Sequence, residues 1–329
     1  MDDQEISHRD LMDALVSGSD ITRQPVAFWR HFPADDQDPE RLAEATAMFQ
    51  GIYDLDLIKV SPSSSFCIRD WGIEDFWNGN TEGTRDYLNY LSLDEAKKIH
   101  VLEPTIGSLG KQLKALEIIT KQFLRETPVI ETIFSPLSQL KNLLGKKNLA
   151  NAIRQEPEKV KTILDVITET TSQFMQSCLT LQTDGFFYAV QHASADVLSH
   201  EEFQVFGKAY DERLFELLGQ TDFSILHVHG SHIYFDTMLD YPCSIINWHD
   251  RDTDPNLSAA ARKTKKILCG GLSRIQSMVT GDEKMITEEI MDAANQIGSK
   301  NFLLGTGCVL PIIAPHGNIQ HAITTARSL

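Results

Sequence analysis

The sequence predicts a single (β/α)8 barrel across residues 1–329, with an N-terminal extension and an insertion after the second strand. Three observations predict it. Eight short β-type runs alternate with helical stretches, which is the order of a parallel α/β sheet. The runs are continuously apolar instead of strictly alternating, as expected for strands covered by helices on their outer face. Eight such units over about 300 residues match the usual size of that barrel. A doubly wound open sheet would give the same alternation and is the competing architecture.

The first run is "PVAFWR" (25–30) and the second "LDLIKVSP" (55–62), with a helical stretch at 38–52 between them. That helix starts at "DPERLAEATAMFQ", where Pro39 suits a first turn because its missing N–H is not needed there. Residues 63–127 form the insertion, placed by its length over the barrel mouth. "PVIETIFSP" (128–136) is the third run, and Pro157 opens the helix at 155–180 that follows. "GFFYAVQ" (185–191) leads into a helical stretch at 199–218, then "FSILHVHG" (223–230) and "CSIINWH" (243–249). "KILCGGLS" (266–273) precedes the helix at 284–297, and "NFLLGTGC" (301–308) precedes the helix at 316–327.

Composition narrows the function classes. With 42% hydrophobic and 23% charged residues the chain can bury a large core, and a net charge of −16 disfavours a nucleic-acid partner. The five cysteines are widely spaced with no CxxC pair, which argues for thiols and against a disulfide framework. No apolar run is long enough for a membrane span, and "MDDQEISHRD" lacks the segments of a signal peptide. The expectation is a cytoplasmic protein without a membrane role.

In such a barrel the active site gathers at the C-terminal ends of the strands. Those ends carry Arg30 and His31; Lys59 and Ser61; Ser135; Gln191 and His192; His227 and His229; Asn247, His249 and Asp250; Ser273 and Arg274; and Cys308. Four of the eight ends bear a histidine, although the chain holds 11 in all. His227 and His229 stand two apart on a strand, so both point to one side, and Cys308 supplies a third donor of the kind a catalytic zinc takes. The competing reading has the two imidazoles hydrogen-bonding a substrate or each other. His232 is expected in the helix after the Gly230 turn, away from the metal. Arg30, Lys59, Gln191, His192, His249 and Arg274 are candidates for substrate contact. His249 with Asp250 would make an acid/base pair or hydrogen-bonded support behind the site, unless "NWHDRDTDP" is a solvated loop, and Trp29 and Trp248 would either stack on a flat ligand or fill the barrel mouth.

The C-terminal third, with its "GGL" strand, its "TGDEKMITEEI" segment, its "GC" and the later "HGNI", resembles the uroporphyrinogen decarboxylase superfamily, as do "QPVAFWRHF" and "YDLDLIKVSP" near the start. The resemblance spans essentially the whole chain and implies a (β/α)8 barrel, with a homodimer as the expected assembly. It implies two kinds of chemistry. True uroporphyrinogen decarboxylases use no metal and hold a polyanionic tetrapyrrole through arginines and an aspartate. Arg30 matches the first arginine of their N-terminal signature and Asp56 their aspartate, but "HFPADD" follows where a second arginine is required, and Cys308 replaces a histidine.

The other branch moves a methyl group between a corrinoid, on a partner corrinoid protein, and a thiol such as coenzyme M. Its zinc sits on a His-x-Cys pair and a distant cysteine. His227 and Cys308 match that pattern, while His229 stands where the first cysteine belongs. A neutral imidazole in place of a thiolate leaves the metal more strongly Lewis acidic. The resemblance therefore implies a zinc-dependent methyltransferase built on His227, His229 and Cys308, with tetrapyrrole decarboxylation as the alternative. A pocket that binds a corrinoid or tetrapyrrole without turnover is the third expectation.

Overall fold

The structure, a computed structural model, describes residues 6–123, 126–298 and 300–329. The first five residues, on which the reading of the N-terminus partly rests, lie outside that range. Seven of the eight runs are parallel strands of one sheet: β1 (Ile58–Val60), β4 (Val129–Phe134), β5 (Gly185–Val190), β6 (Ile225–Val228), β7 (Ile245–Trp248), β8 (Ile267–Leu272) and β9 (Phe302–Thr306), adjacent in that order. A small antiparallel hairpin, β2 (Asp75–Phe76) with β3 (Asp86–Tyr87), lies in the insertion. The seven sheet strands are buried along their whole length, which is why they read as apolar runs without alternation.

The run at 25–30 is not a strand. It makes a single parallel bridge, Val26 to Leu304, with Ala27 N–H donating to Leu304 O at 2.9 Å. On its other side Asp56 N–H donates to Val26 O at 2.9 Å, but the Val26 N–H is taken by the Asp56 carboxylate at 2.8 Å. Pro25 has no N–H to offer. A regular ladder is interrupted, although the segment bonds to both edges of the sheet.

The sheet is curled. β6 and β9 are separated by β7 and β8, three steps of about 4.8 Å each and so roughly 14 Å on a flat sheet. Yet the Cys308 sulfur, just beyond β9, lies 3.7 Å from Nε2 of His227 in β6. Curvature closes the distance. The expected helices appear as Pro39–Tyr53, Pro157–Thr180, Glu283–Ile297 and His316–Arg327. The stretch 199–218 is helical but irregular, passing through a π turn at Gln204–Lys208 and a 3-10 turn at Glu212–Leu214. Helices Gly107–Phe123 and Pro136–Leu144 complete the covering on that side. No described helix is long and apolar enough to cross a membrane, and all five cysteines are buried free thiols.

Asp56 belongs to this framework and not to the site. It precedes β1, at the N-terminal end of the sheet, fully buried. Both its oxygens are bound by the Arg23 guanidinium, and His8 Nδ1 sits 2.8 Å from Oδ1. Burial raises the carboxyl's pKa, but the hydrogen bonds from His8 and Arg23 outweigh it and hold the group below its ordinary value. His8 is raised, chiefly by its bond to Asp56. Asp56→Ala should therefore cost about 3–5 kcal/mol, the range for breaking a buried pair and stranding its partner. Asp56 contributes above the ordinary carboxylate range and loses its contribution as pH falls through its lowered pKa. His8 contributes fully below the ordinary histidine value and loses its contribution as pH rises through its raised one. Urea unfolding across pH should show the largest gap between wild type and variant in the weakly acidic window between those two ordinary values. A gap independent of pH would refute the assignment.

Candidate metal centre

The parallel register sets the site. His227 in β6 pairs with Asn247 in β7, so the two side chains emerge at the same height on neighbouring strands. Asn247 Nδ2 donates to the carbonyls of Cys269 at 2.9 Å and Thr306 at 3.0 Å, which leaves Oδ1 as the acceptor. Oδ1 lies 2.6 Å from His227 Nδ1. That nitrogen must therefore carry the proton, and Nε2 presents its lone pair to the cavity. Phe187 from β5 stacks on the imidazole with ring centroids 5.1 Å apart.

His229 follows two residues later, with its Nδ1 facing the same space, and Gly230 at φ 113° lets the chain turn away immediately afterwards. Cys308 Sγ lies 3.7 Å from His227 Nε2 and 3.9 Å from His229 Nδ1. A fourth donor, His249 Nε2, stands 3.2 Å from His229 Nδ1. One donor atom from each of these four residues lies within 4.8 Å of the others. A tetrahedral zinc with ordinary bond lengths sets two nitrogens about 3.3 Å apart and a nitrogen and a sulfur about 3.6 Å apart. Donor types and spacings fit a zinc ion. Gly307 makes the approach possible, since a Cβ there would meet His249 Cα at 2.7 Å.

Burial raises the pKa of the Cys308 thiol, with Glu82 adding to the rise, and Arg274 and Lys59 offset it only in part. Burial, reinforced by His249, lowers His229 to about 3, and burial takes His227 well below its ordinary value, so both imidazoles are neutral donors. Lys59 Nζ lies 4.7 Å from the Phe187 ring centroid and donates to Ser61 Oγ at 3.0 Å; burial lowers it to about 8 against the opposing pull of Glu131. The cavity, about 100 Å³, is lined by His31, Lys59, Glu82, Gln191, His227, His229 and Cys308 among others. Arg274 reaches this region by pairing with Glu82 of the insertion.

Several expectations need correction. Arg30 turns away from the cavity and lies over the rings of Phe32 and Phe49, at 5.4 and 5.2 Å from their centroids. Its neighbour His31 faces inwards, because adjacent residues of an extended chain point to opposite sides. Asp56, as described, is at the other end of the sheet. His232 is not helical: it sits in a loop at φ 47°, exposed, with Nδ1 2.8 Å from Asp196. Asp250 accepts from Gly271 N–H at 3.0 Å behind the site, so it is not an acid/base partner of His249. Trp29 packs edge-on against Phe187 and Trp248 against Phe235, both buried and unavailable for stacking on a ligand. In the insertion, Arg69 pairs with Asp75, Asp70 accepts from Ser108 N–H and Trp71 is buried, so these residues brace the excursion; Glu82 and Thr84 are what it brings to the cavity. His192 is buried and lines a neighbouring cavity with Gln191.

Fold and site together define an α/β protein with a curled parallel sheet and a His/Cys donor cluster at the C-terminal strand ends. The chain belongs to the uroporphyrinogen decarboxylase (URO-D) family, whose model matches residues 22–329. Among curated relatives it is 20% identical over 242 residues to the methylcobamide:CoM methyltransferase MtbA of Methanosarcina mazei, covering 72% of this chain and 69% of that one. It is 19% identical to its counterpart in Methanosarcina acetivorans over 240 residues, with the same coverage. A solved methyltransferase from Methanosarcina mazei superposes with a TM-score of 0.86 at 15% identity, over 98% of this chain and 99% of that one. A B12-independent methionine synthase from Shewanella sp. W3-18-1 shares the fold more distantly, with a TM-score of 0.54 at 10% identity, over 93% and 92% of the two chains.

Proposed function

We propose that this protein is a zinc-dependent methyltransferase that moves a methyl group between a corrinoid, carried by a partner protein, and a thiol or related acceptor. The observation that carries the reading is the convergence of Cys308 Sγ with His227 Nε2 and His229 Nδ1 at 3.7 and 3.9 Å. His227, His229 and Cys308 would hold the ion. Bound there, zinc supplies the Lewis acidity that keeps a thiol acceptor deprotonated at neutral pH.

The remaining work falls to the chain itself. Asn247 aims His227, and Phe187 blocks rotation of its ring. Lys59 and Arg274 place positive charge where the acceptor's sulfur carries negative charge, which favours the thiolate before transfer. His249, whose Nε2 lies 3.2 Å from His229 Nδ1, borders the place the acceptor's sulfur would take. In the transfer the sulfur lone pair forms the S–C bond while the Co–C bond breaks with both electrons going to cobalt; the thiol proton goes to solvent. Arg30 and Asp56, the residues a tetrapyrrole decarboxylase would need, face elsewhere, so that alternative loses its anchors. We also read segment 25–30 as the eighth member that completes the barrel, since it bonds to β9 through Leu304 on one side and to Asp56, two residues before β1, on the other.

Metal analysis of protein purified without added metal or tag, followed by incubation with methylcobalamin and a thiol, tests the proposal. The expected result is about one zinc per chain and thiol-dependent appearance of cob(I)alamin. Absence of metal after zinc reconstitution would overturn the zinc assignment, and a zinc-loaded protein without turnover would leave a binding protein.

A further inference from the structure

Beside the metal cavity lies a second and larger chamber, about 310 Å³, that shares Gln191 and His229 with it. Lys141 from helix Pro136–Leu144 and Lys146 from the start of helix Lys146–Gln155 line it, together with His192. Among the described residues neither lysine side chain makes a hydrogen bond or ion pair, whereas Lys114, Lys159, Lys208 and Lys263 each pair with a carboxylate. The one carboxylate in this lining, Asp196, is engaged by His232 at 2.8 Å. Two more polar groups of the lining lack partners. His192 is 3% exposed, burial takes it well below its ordinary pKa and so keeps it neutral, and its Nδ1 bonds to nothing. Oε1 of Gln191 is likewise buried and unpaired.

These surroundings suit an ammonium at Lys141 poorly and its carbamate well. An ammonium can only donate, and here it meets the repulsion of a second lysine. A carbamate on the same nitrogen presents two anionic oxygens, which Lys146 and a proton on His192 Nδ1 can serve, and keeps one N–H for Gln191 Oε1. We propose that Lys141 is a carbamylation site: its amine adds carbon dioxide reversibly, and the chamber holds the product between Lys146 and His192. The nitrogen lone pair forms an N–C bond to carbon dioxide, one C–O π pair moves onto oxygen, and the nitrogen gives a proton to solvent, so the step needs no oxidant or reductant. Burial, with Lys146 adding its repulsion, lowers Lys141 to about 8, so uncharged amine is present near neutral pH. The other titratable groups that face the chamber are Lys146, His192, Asp196 and His229. Because the step starts from uncharged amine and releases a proton, occupancy at fixed dissolved carbon dioxide rises with pH. The chamber then passes from two cations to one cation and one anion, and a dissolved gas sets the charge beside His229. The inference stands apart from the proposed methyl transfer.

Chemical trapping tests this. The full chain is equilibrated with carbon-13 bicarbonate at mildly alkaline pH in a buffer free of amines and phosphate, and its carbon NMR spectrum is recorded. It is then alkylated with triethyloxonium, which turns a carbamate into a stable ethyl ester, and the adduct is mapped by mass spectrometry after digestion. Wild type should show a carbamate resonance distinct from bicarbonate and an adduct on Lys141. Lys141→Arg keeps the charge but cannot form the carbamate, and should lose both signals. Lys146→Gln should lower occupancy about tenfold, the order of one charge-assisted hydrogen bond. The mapping is read on wild type, so it decides the site even where Lys141→Arg unfolds. Adducts confined to the N-terminal amine or to exposed lysines would overturn the proposal, as would full occupancy in Lys146→Gln. Sulfate binding by wild type with no trapped adduct on Lys141 would also overturn it, showing that the chamber takes a free anion instead.

Discussion

Cys308→Ala should release the zinc and lower methyl transfer by about a thousandfold, the order expected when several kcal/mol of Lewis-acid stabilisation is lost. The sulfur is the one donor of the cluster that binds a metal as an anion, and His227 and His229 cannot hold the ion as firmly without it. His229→Ala should act in the same direction. Cys269→Ala is the control: that thiol is fully buried and lies outside the donor group, so zinc and turnover should both persist. Retention of a full zinc equivalent by Cys308→Ala, measured by mass spectrometry after dialysis against a chelator, would remove the sulfur from the site.

The second large effect is expected at a residue that touches no substrate. Asn247→Leu removes the acceptor that fixes the His227 proton and the two bonds its amide donates to the carbonyls of Cys269 and Thr306. Zinc affinity should fall by about 10–100-fold, the usual consequence of losing the group that orients a metal-binding imidazole. Stability should fall by about 2–5 kcal/mol, from the loss of the two amide hydrogen bonds to buried carbonyls and from a bulkier side chain. Competition with a zinc chelator and urea unfolding separate the two effects. Unchanged zinc affinity would show that His227 is aimed by packing against Phe187 alone.

Much of this was legible in the chain because it depends on local pattern. Continuous apolar runs located seven strands, and the spacing of two between His227 and His229 placed both imidazoles on one face whatever the architecture. What resisted reading was parity and distance. Arg30 and His31 differ by one residue in an extended segment, and only the register against Leu304 decides which of them faces in. Asp56 is polar and near a strand, but it sits at the strand's beginning, the end opposite the site. His249 as a fourth donor, Asn247 as the residue that aims His227, and Lys141 and Lys146 as a second cationic wall all arise from contacts between elements far apart in sequence. Glu82 enters from the loop between β2 and β3, two strands of two residues each that are too short to leave an alternating pattern in the sequence.

The double hydrogen bond of Asn247 to backbone carbonyls has one more consequence. Because the amide is held by strand ends that exist with or without a ligand, the lone pair of His227 is aimed before any ion arrives. Metal uptake should then resemble filling a rigid chelate more than folding around a template: the apo and loaded forms should superpose closely, and exchange of zinc for cobalt should be limited by ion dehydration and passage through the cavity, not by reassembly of the protein.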